Sequence, residues 1–512
     1  MKSKINQCLA KLCGAQETRS GTLLSVIVGA VSKPVGYLRI LLLAWLFGAS
    51  AGMDAYYVAS GILFLCCTLI QNVLESALLP QLIRQSEQTA LSLMAWAFKI
   101  VLICLGGFAL AVFLFPGRIV ALFVRQFDAQ RLSMTSSMLL MLIPWSASLI
   151  VQSLLSVWNN YSGRYSLVIT LSCLMNLLLI PSLFLLSFFL GVNAVPAAYS
   201  AVYLALTWIM WKATGDFPWR VPGRVKIPGE LLRRLGADCL LCVGIVGASS
   251  LYQLVDRYFA SGLPAGNISA INYAGQIYML PLSVMAPAVM IYLNRASQMA
   301  AAGENARAYL GTVLSMGWLY LFPPSIVLVC LARPAVRFFL GYGAFDSAAV
   351  ALTAPCMSAA VWALPLLLWG QFLARYAQAA GKLKTILVIS YGALALNAFL
   401  DWLFVPWLGA PGLCVATGIT WGGSALVYLK YLTPKLLGVI LKQIWKPTAI
   451  FGGLACALLL PLAAGLWLPL SAGALLLALY FLAGERLGFF ESVPEGWRPL
   501  SILGLVLKRL HP

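Results

Sequence analysis

Apolar stretches of 18 or more residues recur from one end of this chain to the other, and nothing else in the sequence restricts its fold as much. A run of that length crosses the hydrocarbon core of a bilayer as a helix. Lipid offers no hydrogen-bond partner to open backbone, so a chain built from such runs must be a helical bundle. With 62% hydrophobic and 10% charged residues, a water-soluble fold could not bury its apolar surface. The periodicity predicts an all-α polytopic membrane protein of about 14 transmembrane helices. The spans, numbered 1 to 14 in chain order, lie near 22–47, 54–81, 90–114, 132–157, 165–189, 195–212, 235–259, 267–292, 309–331, 350–374, 384–405, 411–430, 447–465 and 470–485. Residues 1–20 are polar, and the first apolar run is too long for a cleaved signal core, so it reads as a retained anchor.

The formal net charge of +19 would suggest nucleic acid in a soluble protein. Its distribution points elsewhere. One set of segments comprises the N-terminus, every second loop and the C-terminus, and it holds 25 of the 34 Lys and Arg residues, against 5 on the other side. That asymmetry places both termini in the cytoplasm and excludes nucleic acid as the partner. The single histidine, His511, leaves no basis for histidine catalysis or metal binding. Ten of 12 cysteines fall in or at the ends of apolar runs with no ligand spacing, so neither a metal site nor a disulfide framework is expected. The two longest outer loops, near 115–131 and 332–349, read as interfacial amphipathic segments. No loop is large enough for a catalytic domain, so an enzyme is not expected.

The two halves echo one another. Val28-Gly29-Ala30 in span 1 matches Val246-Gly247-Ala248 in span 7, Asn176 with Pro181 matches Asn397 with Pro406, and Leu190-Gly191 matches Leu408-Gly409. Two parallel six-helix repeats with a C-terminal helix pair follow, divided as 1–213 (first lobe), 214–234 (basic cytoplasmic linker), 235–432 (second lobe) and 433–512 (spans 13 and 14 and the tail). Substrate would be handled between the halves.

An ionisable group inside a span costs roughly 2.5–3.5 kcal/mol and needs a partner or a wet cavity. Span 1 carries Lys33 and Arg39 around Pro34 and Gly36. Six residues separate the two cations, about 9 Å along a straight helix. They form either a ladder for a diphosphate or two private pairs, for instance with Asp54 or Glu75. A second group is acidic and polar. Asp256 lies near the outer end of span 7, Asn397 and Asp401 share one face of span 11, and Thr417 and the carbonyl of Leu413 open span 12. An all-oxygen set of this kind suits a hard cation. The alternative is a local Asp256–Arg257 pair with ordinary polar helix contacts.

At these residues the chain resembles the MviN/MurJ family of the multidrug/oligosaccharidyl-lipid/polysaccharide exporter superfamily. The resemblance rests on Ser32 to Arg39, Leu46-Phe47-Gly48-Ala49, Asp54 to Ala59, Val255 to Ser261, and Phe339 to Asp346, in order along nearly the whole chain. It implies two six-helix lobes around a cationic cavity, alternating access, and a groove at spans 13 and 14 for a polyprenyl tail. The implied substrate is a polyprenyl-diphosphate-linked glycan, either lipid II or a surface-polysaccharide repeat unit, moved outward across a bacterial inner membrane. Lys33, Arg39 and Asp54 match family substrate residues, and Gln276 stands where the family has an arginine. The family's helix 2 arginine falls here on Cys66, Cys67 or Thr68, so this cavity is expected to be less basic. A family sodium site maps onto Asp256, Asn397, Asp401, Leu413 and Thr417, making bound Na+ the only expected cofactor. A cation-coupled drug or small-molecule antiporter of the same superfamily is the alternative function.

Overall fold

The computed structural model describes residues 18–501 except 216, 219–226, 303–306, 435, 464, 492, 496 and 497. Lys2, Lys4, Lys11, Arg220, Arg224, Lys226, Lys435, Lys508 and Arg509 of the charge count, together with Cys8, Cys13 and His511, lie outside the described residues. Contacts divide the chain into two compact units, 1–265 and 266–512. The division falls one span later than the boundary expected from the basic linker, because span 7 packs along span 2.

The first unit comprises α1 (Thr18–Phe47), α2 (Ala51–Arg84), α3 (Glu87–Leu114), α4 (Pro116–Phe123), α5 (Ala129–Met141), α6 (Ile143–Tyr161), α7 (Tyr165–Leu190), α8 (Ala194–Thr214) and α9 (Gly229–Ala260). The second comprises α10 (Asn267–Tyr278), α11 (Leu280–Ala301), α12 (Arg307–Cys330), α13 (Ala332–Leu340), α14 (Ser347–Val361), α15 (Leu364–Ala379), α16 (Leu383–Leu408), α17 (Ala410–Leu432), α18 (Leu436–Leu459) and α19 (Trp467–Arg486). Each of the 14 expected spans lies mainly on helix, although span 13 is helical only as far as Leu459. Among the described residues nine stretches are long and apolar enough to cross a membrane, and the bent pair α14–α15 makes ten. Because Cys173–Thr214 takes in both α7 and α8, these cover spans 2 to 7, 9 to 12 and 14. Span 8 is broken, with Pro281 dividing α10 from α11, and in span 13 α18 carries Lys442 and Lys446, while span 1 is the 30-residue helix α1.

Prolines set the breaks. Pro144 opens α6 and Pro365 opens α15, where the missing N–H costs nothing because a first-turn donor is unpaired anyway. Spans 4 and 10 are therefore each two helices, and the second pair is bent by 52°. Span 2 instead stays continuous through a π-helical turn, Leu74–Leu78, just before Pro80. Pro34 leaves α1 unbroken.

The repeat is visible as matched packing inside each unit. Helix α2 lies on α5, α4 on α5, α6 on α8 and α7 on α8. The same partners recur as α10 on α14, α13 on α14, α15 on α17 and α16 on α17. Helices α7 and α16 are both 26 residues long, and each ends at a glycine in the same conformation: Gly191 at φ 54, ψ −134 and Gly409 at φ 63, ψ −138. Only glycine adopts that backbone without strain. Aligning these ends places Asn176 one turn away from the position equivalent to Asn397, so the match holds by helix rather than by those two residues.

The expected interfacial segments are short helices. In α13, Pro334, Ala335, Val336 and Leu340 face inward while Arg333 and Arg337 are exposed. Helices α18 and α19 both pack on α12. Ser315 donates to Gln443 at 2.6 Å, the Trp318 indole N–H donates to Thr448 at 2.9 Å, and the Tyr480 hydroxyl donates to the Leu319 carbonyl at 3.2 Å.

Candidate functional site

In the first unit the site forms where α1, α2, α7 and α8 meet. A row of polar contacts fixes α8 against the α5–α6 break. Ser200 donates to the Met141 carbonyl at 2.6 Å, and Gln152 Nε2 donates to Thr207 at 2.9 Å. Near the other end Asn159 Nδ2 donates to Thr214 at 2.8 Å. These bonds set the rotation of α8 and turn Tyr199 and Tyr203 toward α6. The break at Leu142 starts a new helix in which Trp145 meets both rings edge-on, at 6.3 and 6.2 Å between centroids. Tyr199 and Tyr203 stack at 6.2 Å, and Tyr56 of α2 adds a fourth ring 5.9 Å from Tyr199. Ser50 caps α2 by accepting from the Met53 N–H, which starts the helix just ahead of Asp54, Tyr56 and Tyr57.

Arg39 enters this aromatic cluster from α1. Its Nη1 donates to Asn176 Oδ1 of α7 at 2.9 Å, and Asn176 Nδ2 donates onward to Ser32 at 3.4 Å. The guanidinium carbon lies 5.7 Å from the centre of the Tyr199 ring. A contact of this kind contributes about 0.5–2 kcal/mol, more as water is excluded. Among the described residues no carboxylate pairs with Arg39, and its buried Nε meets no acceptor. A cation held in a span by an amide and a ring face keeps its full positive charge and can meet an anion.

The other sequence-predicted residues are more scattered. Lys33 is exposed on α1, one and a half turns before Arg39. Asp54 is completely buried in the first turn of α2, where the helix dipole favours a carboxylate. Gln276 is exposed near the end of α10, in the second unit. Sequence reasoning passed over Arg257 as half of a local pair. Its guanidinium in fact lies on the α2 backbone at Gly61, where a Cβ would overlap it. The visible signal was a glycine inside an apolar helix.

The second unit gathers part of the acidic set. Asn397 and Asp401 are fully buried on one face of α16, with Asn397 Nδ2 donating to Asp401 Oδ2 at 3.0 Å. Thr420 of α17, which the sequence reading did not single out, donates to Asn397 Oδ1 at 3.4 Å. Leu413 is buried and Thr417 half-buried earlier on α17, and the spacing 413, 417, 420 keeps all three on one face. Asp256 is half-buried near the end of α9, in the first unit. Among the described residues there is no group of three or more His, Cys, Asp or Glu side chains that could hold a metal ion. The donors on α16 and α17 are instead a carboxylate, an amide and hydroxyls. This buried, all-oxygen chemistry fits a hard monovalent cation and not a transition metal.

Comparison with known proteins agrees with this architecture. The family model described as lipid II flippase MurJ matches residues 43–482. A probable lipid II flippase MurJ of Thermotoga maritima is 25% identical over 422 residues, covering 81% of this chain and 85% of that protein. The lipid II flippase MurJ of Burkholderia cenocepacia is 24% identical over 421 residues, covering 76% and 78%. Among solved structures, a lipid II flippase MurJ in an inward closed conformation superposes with a TM-score of 0.78 at 20% identity, over 91% of this chain and 99% of that one. An inward-facing multidrug resistance MATE family transporter of the MOP superfamily gives 0.65 at 13% identity, over 82% and 99%. These likenesses establish the fold, and the family match over most of the chain establishes more: the chain is a multi-pass membrane transporter, not an enzyme, and it belongs to the lipid II flippase MurJ family.

Proposed function

We propose that this chain moves a polyprenyl-diphosphate-linked glycan, lipid II or a surface-polysaccharide repeat unit, from the cytoplasmic to the outer leaflet of a bacterial inner membrane by alternating access. The observation that carries this reading is Arg39, a guanidinium in a spanning helix held, among the described residues, by Asn176 and the face of Tyr199. A planar cation with free donors binds phosphate oxygens in pairs. Tyr56, Tyr199 and Tyr203 supply hydroxyls and exclude water, which strengthens each charged contact. Lys33, exposed on the same helix, meets the diphosphate at a second depth, and Gln276 offers an amide to the glycan. Helices α18 and α19, pinned to α12, provide the apolar flank for the polyprenyl tail.

Transport is coupled to a cation or to the membrane potential. Na+ would be held by the Asp401 carboxylate, Asn397, Thr417 or Thr420 and the Leu413 carbonyl. When bound it supplies positive charge that lets Asp401 stay ionised within the membrane. Both termini face the cytoplasm, as the Lys and Arg asymmetry requires. The drug-antiporter alternative shares the fold, but an acidic aromatic pocket would suit its cationic substrates better than Arg39 does.

The test is rescue of a bacterium depleted of its own lipid II flippase, with membrane insertion verified. Growth with the native chain and none with Arg39→Ala is the expected result. Rescue by Arg39→Ala at equal membrane abundance overturns the phosphate role. Failure of the native chain moves the assay to surface-polysaccharide units on the same lipid carrier.

A further inference from the structure

One cation of the first unit has no part in the account above. Arg257 lies in the last turn of α9, and its side chain crosses to α2. The three atoms nearest to a Cβ built on Gly61 all belong to Arg257: Nη1, Cζ and Nε. A side chain at position 61 would displace the guanidinium, which occupies that volume. Gln81 of α2, which donates to Asp238 of α9 at 3.0 Å, ties the same two helices together further along. This seat brings Arg257 to the part of α2 that Arg39 reaches from α1. Tyr56 and Tyr57 lie within electrostatic range of both guanidiniums, and Tyr57 and Gly61 share one face of α2 at i, i+4 spacing.

Among the described residues no hydrogen bond or ion pair holds the Arg257 guanidinium. Asp256 is in electrostatic range, but adjacent positions on a helix do not face each other. Two guanidiniums therefore flank one tyrosine pair in an apolar setting: no carboxylate acts on Arg39, and Asp256 acts on Arg257 from a distance without an ion pair among the described residues. Charge so placed calls for an anion that can meet both forks. A monophosphate ester is small enough to be satisfied by one guanidinium, whereas a diphosphate has oxygens on two phosphorus atoms to share between two.

We infer that Arg257, seated on Gly61, is a second phosphate-binding arginine of the substrate site, and that with Arg39 it selects a lipid diphosphate over a lipid monophosphate. This rests on the proposed transport of a polyprenyl diphosphate. The experiment measures binding of a short polyprenyl diphosphate and the matching monophosphate to the purified full chain in detergent, by native mass spectrometry. The wild-type chain is expected to prefer the diphosphate. Arg257→Gln should lose about tenfold or more in diphosphate affinity with little change for the monophosphate, the loss of one charge-assisted contact pair. Arg257→Lys should restore part of the preference. Gly61→Ala keeps the arginine but evicts it from its seat, and it should lose the preference as Arg257→Gln does. It also decides the matter if Arg257→Gln does not fold. If Arg257→Gln and Gly61→Ala both keep the wild-type preference, or weaken both lipids equally, Arg257 is structural and the inference fails while the transport reading stands. If the wild-type chain binds neither lipid, the substrate reading itself falls, and this inference with it.

Discussion

Arg39 and Asp401 illustrate opposite ways of keeping charge inside a membrane. Arg39 is surrounded by groups that accept or polarise without carrying charge, so its field is available to a ligand. Asp401 is completely buried beside an amide that donates to one of its oxygens and a threonine that bonds the same amide. A carboxylate in such a place is neutralised by a proton or by a cation. With sodium as that cation, adding NaCl in place of choline chloride should raise the melting temperature of the purified protein, since a ligand that binds only the folded state stabilises it. Asp401→Ala should abolish the sodium-specific part of the rise. An unchanged rise in the variant would remove Asp401 from the cation site.

At the scale of elements, proline and glycine decide where helices stop, and stops decide where side chains point. The break before Ile143 carries Trp145 into the tyrosine cluster, and the corresponding break before Leu364 places Trp369, whose indole N–H donates to the Leu314 carbonyl at 2.9 Å. Gly191 and Gly409 close the matched helices α7 and α16. A Cβ at Gly409 would meet nothing within 4 Å, so a side chain there pays only a backbone cost. Gly409→Ala should therefore destabilise the protein by about 1–3 kcal/mol, the strain of an L-residue in a backbone region essentially restricted to glycine. The readout is a melting temperature in detergent lower by a few degrees. No loss of stability would mean that the turn relaxes into another conformation.

For the whole molecule, the proposed orientation rests on an uneven count of cations, because Lys and Arg resist translocation. A fluorescent reporter fused after Pro512 should fold and fluoresce in the cytoplasm, and alkaline phosphatase fused at the same place should stay inactive. Active phosphatase would invert the topology and with it the proposed direction of transport. The repeat belongs to this scale as well. Its sequence trace was a few short matches, yet the partners in packing are the same in both units, and α7 and α16 agree in length and in their terminal glycines. The trace misled at Asn176 and Asn397, where similarity of type concealed a shift of one turn.

Sequence alone determined the class of the fold, the helical core of the predicted spans, the short amphipathic helices and the presence of unusual charges at Arg39, Asp256 and Asp401. All of these follow from local rules: the width of the bilayer, the backbone's need for partners, and the high cost of burying a charge. Tertiary structure decided what each charge touches. Asn176 is 137 residues from Arg39, and Tyr199 approaches only because α8 is fixed against α6. Thr420 rather than Thr417 bonds Asn397 because helix rotation, set by packing along the whole interface, selects among positions that the sequence leaves equivalent. Arg257 was legible as a cation and Gly61 as a glycine, but 196 positions separate them in the chain. Only the crossing of α9 over α2 makes them parts of one site.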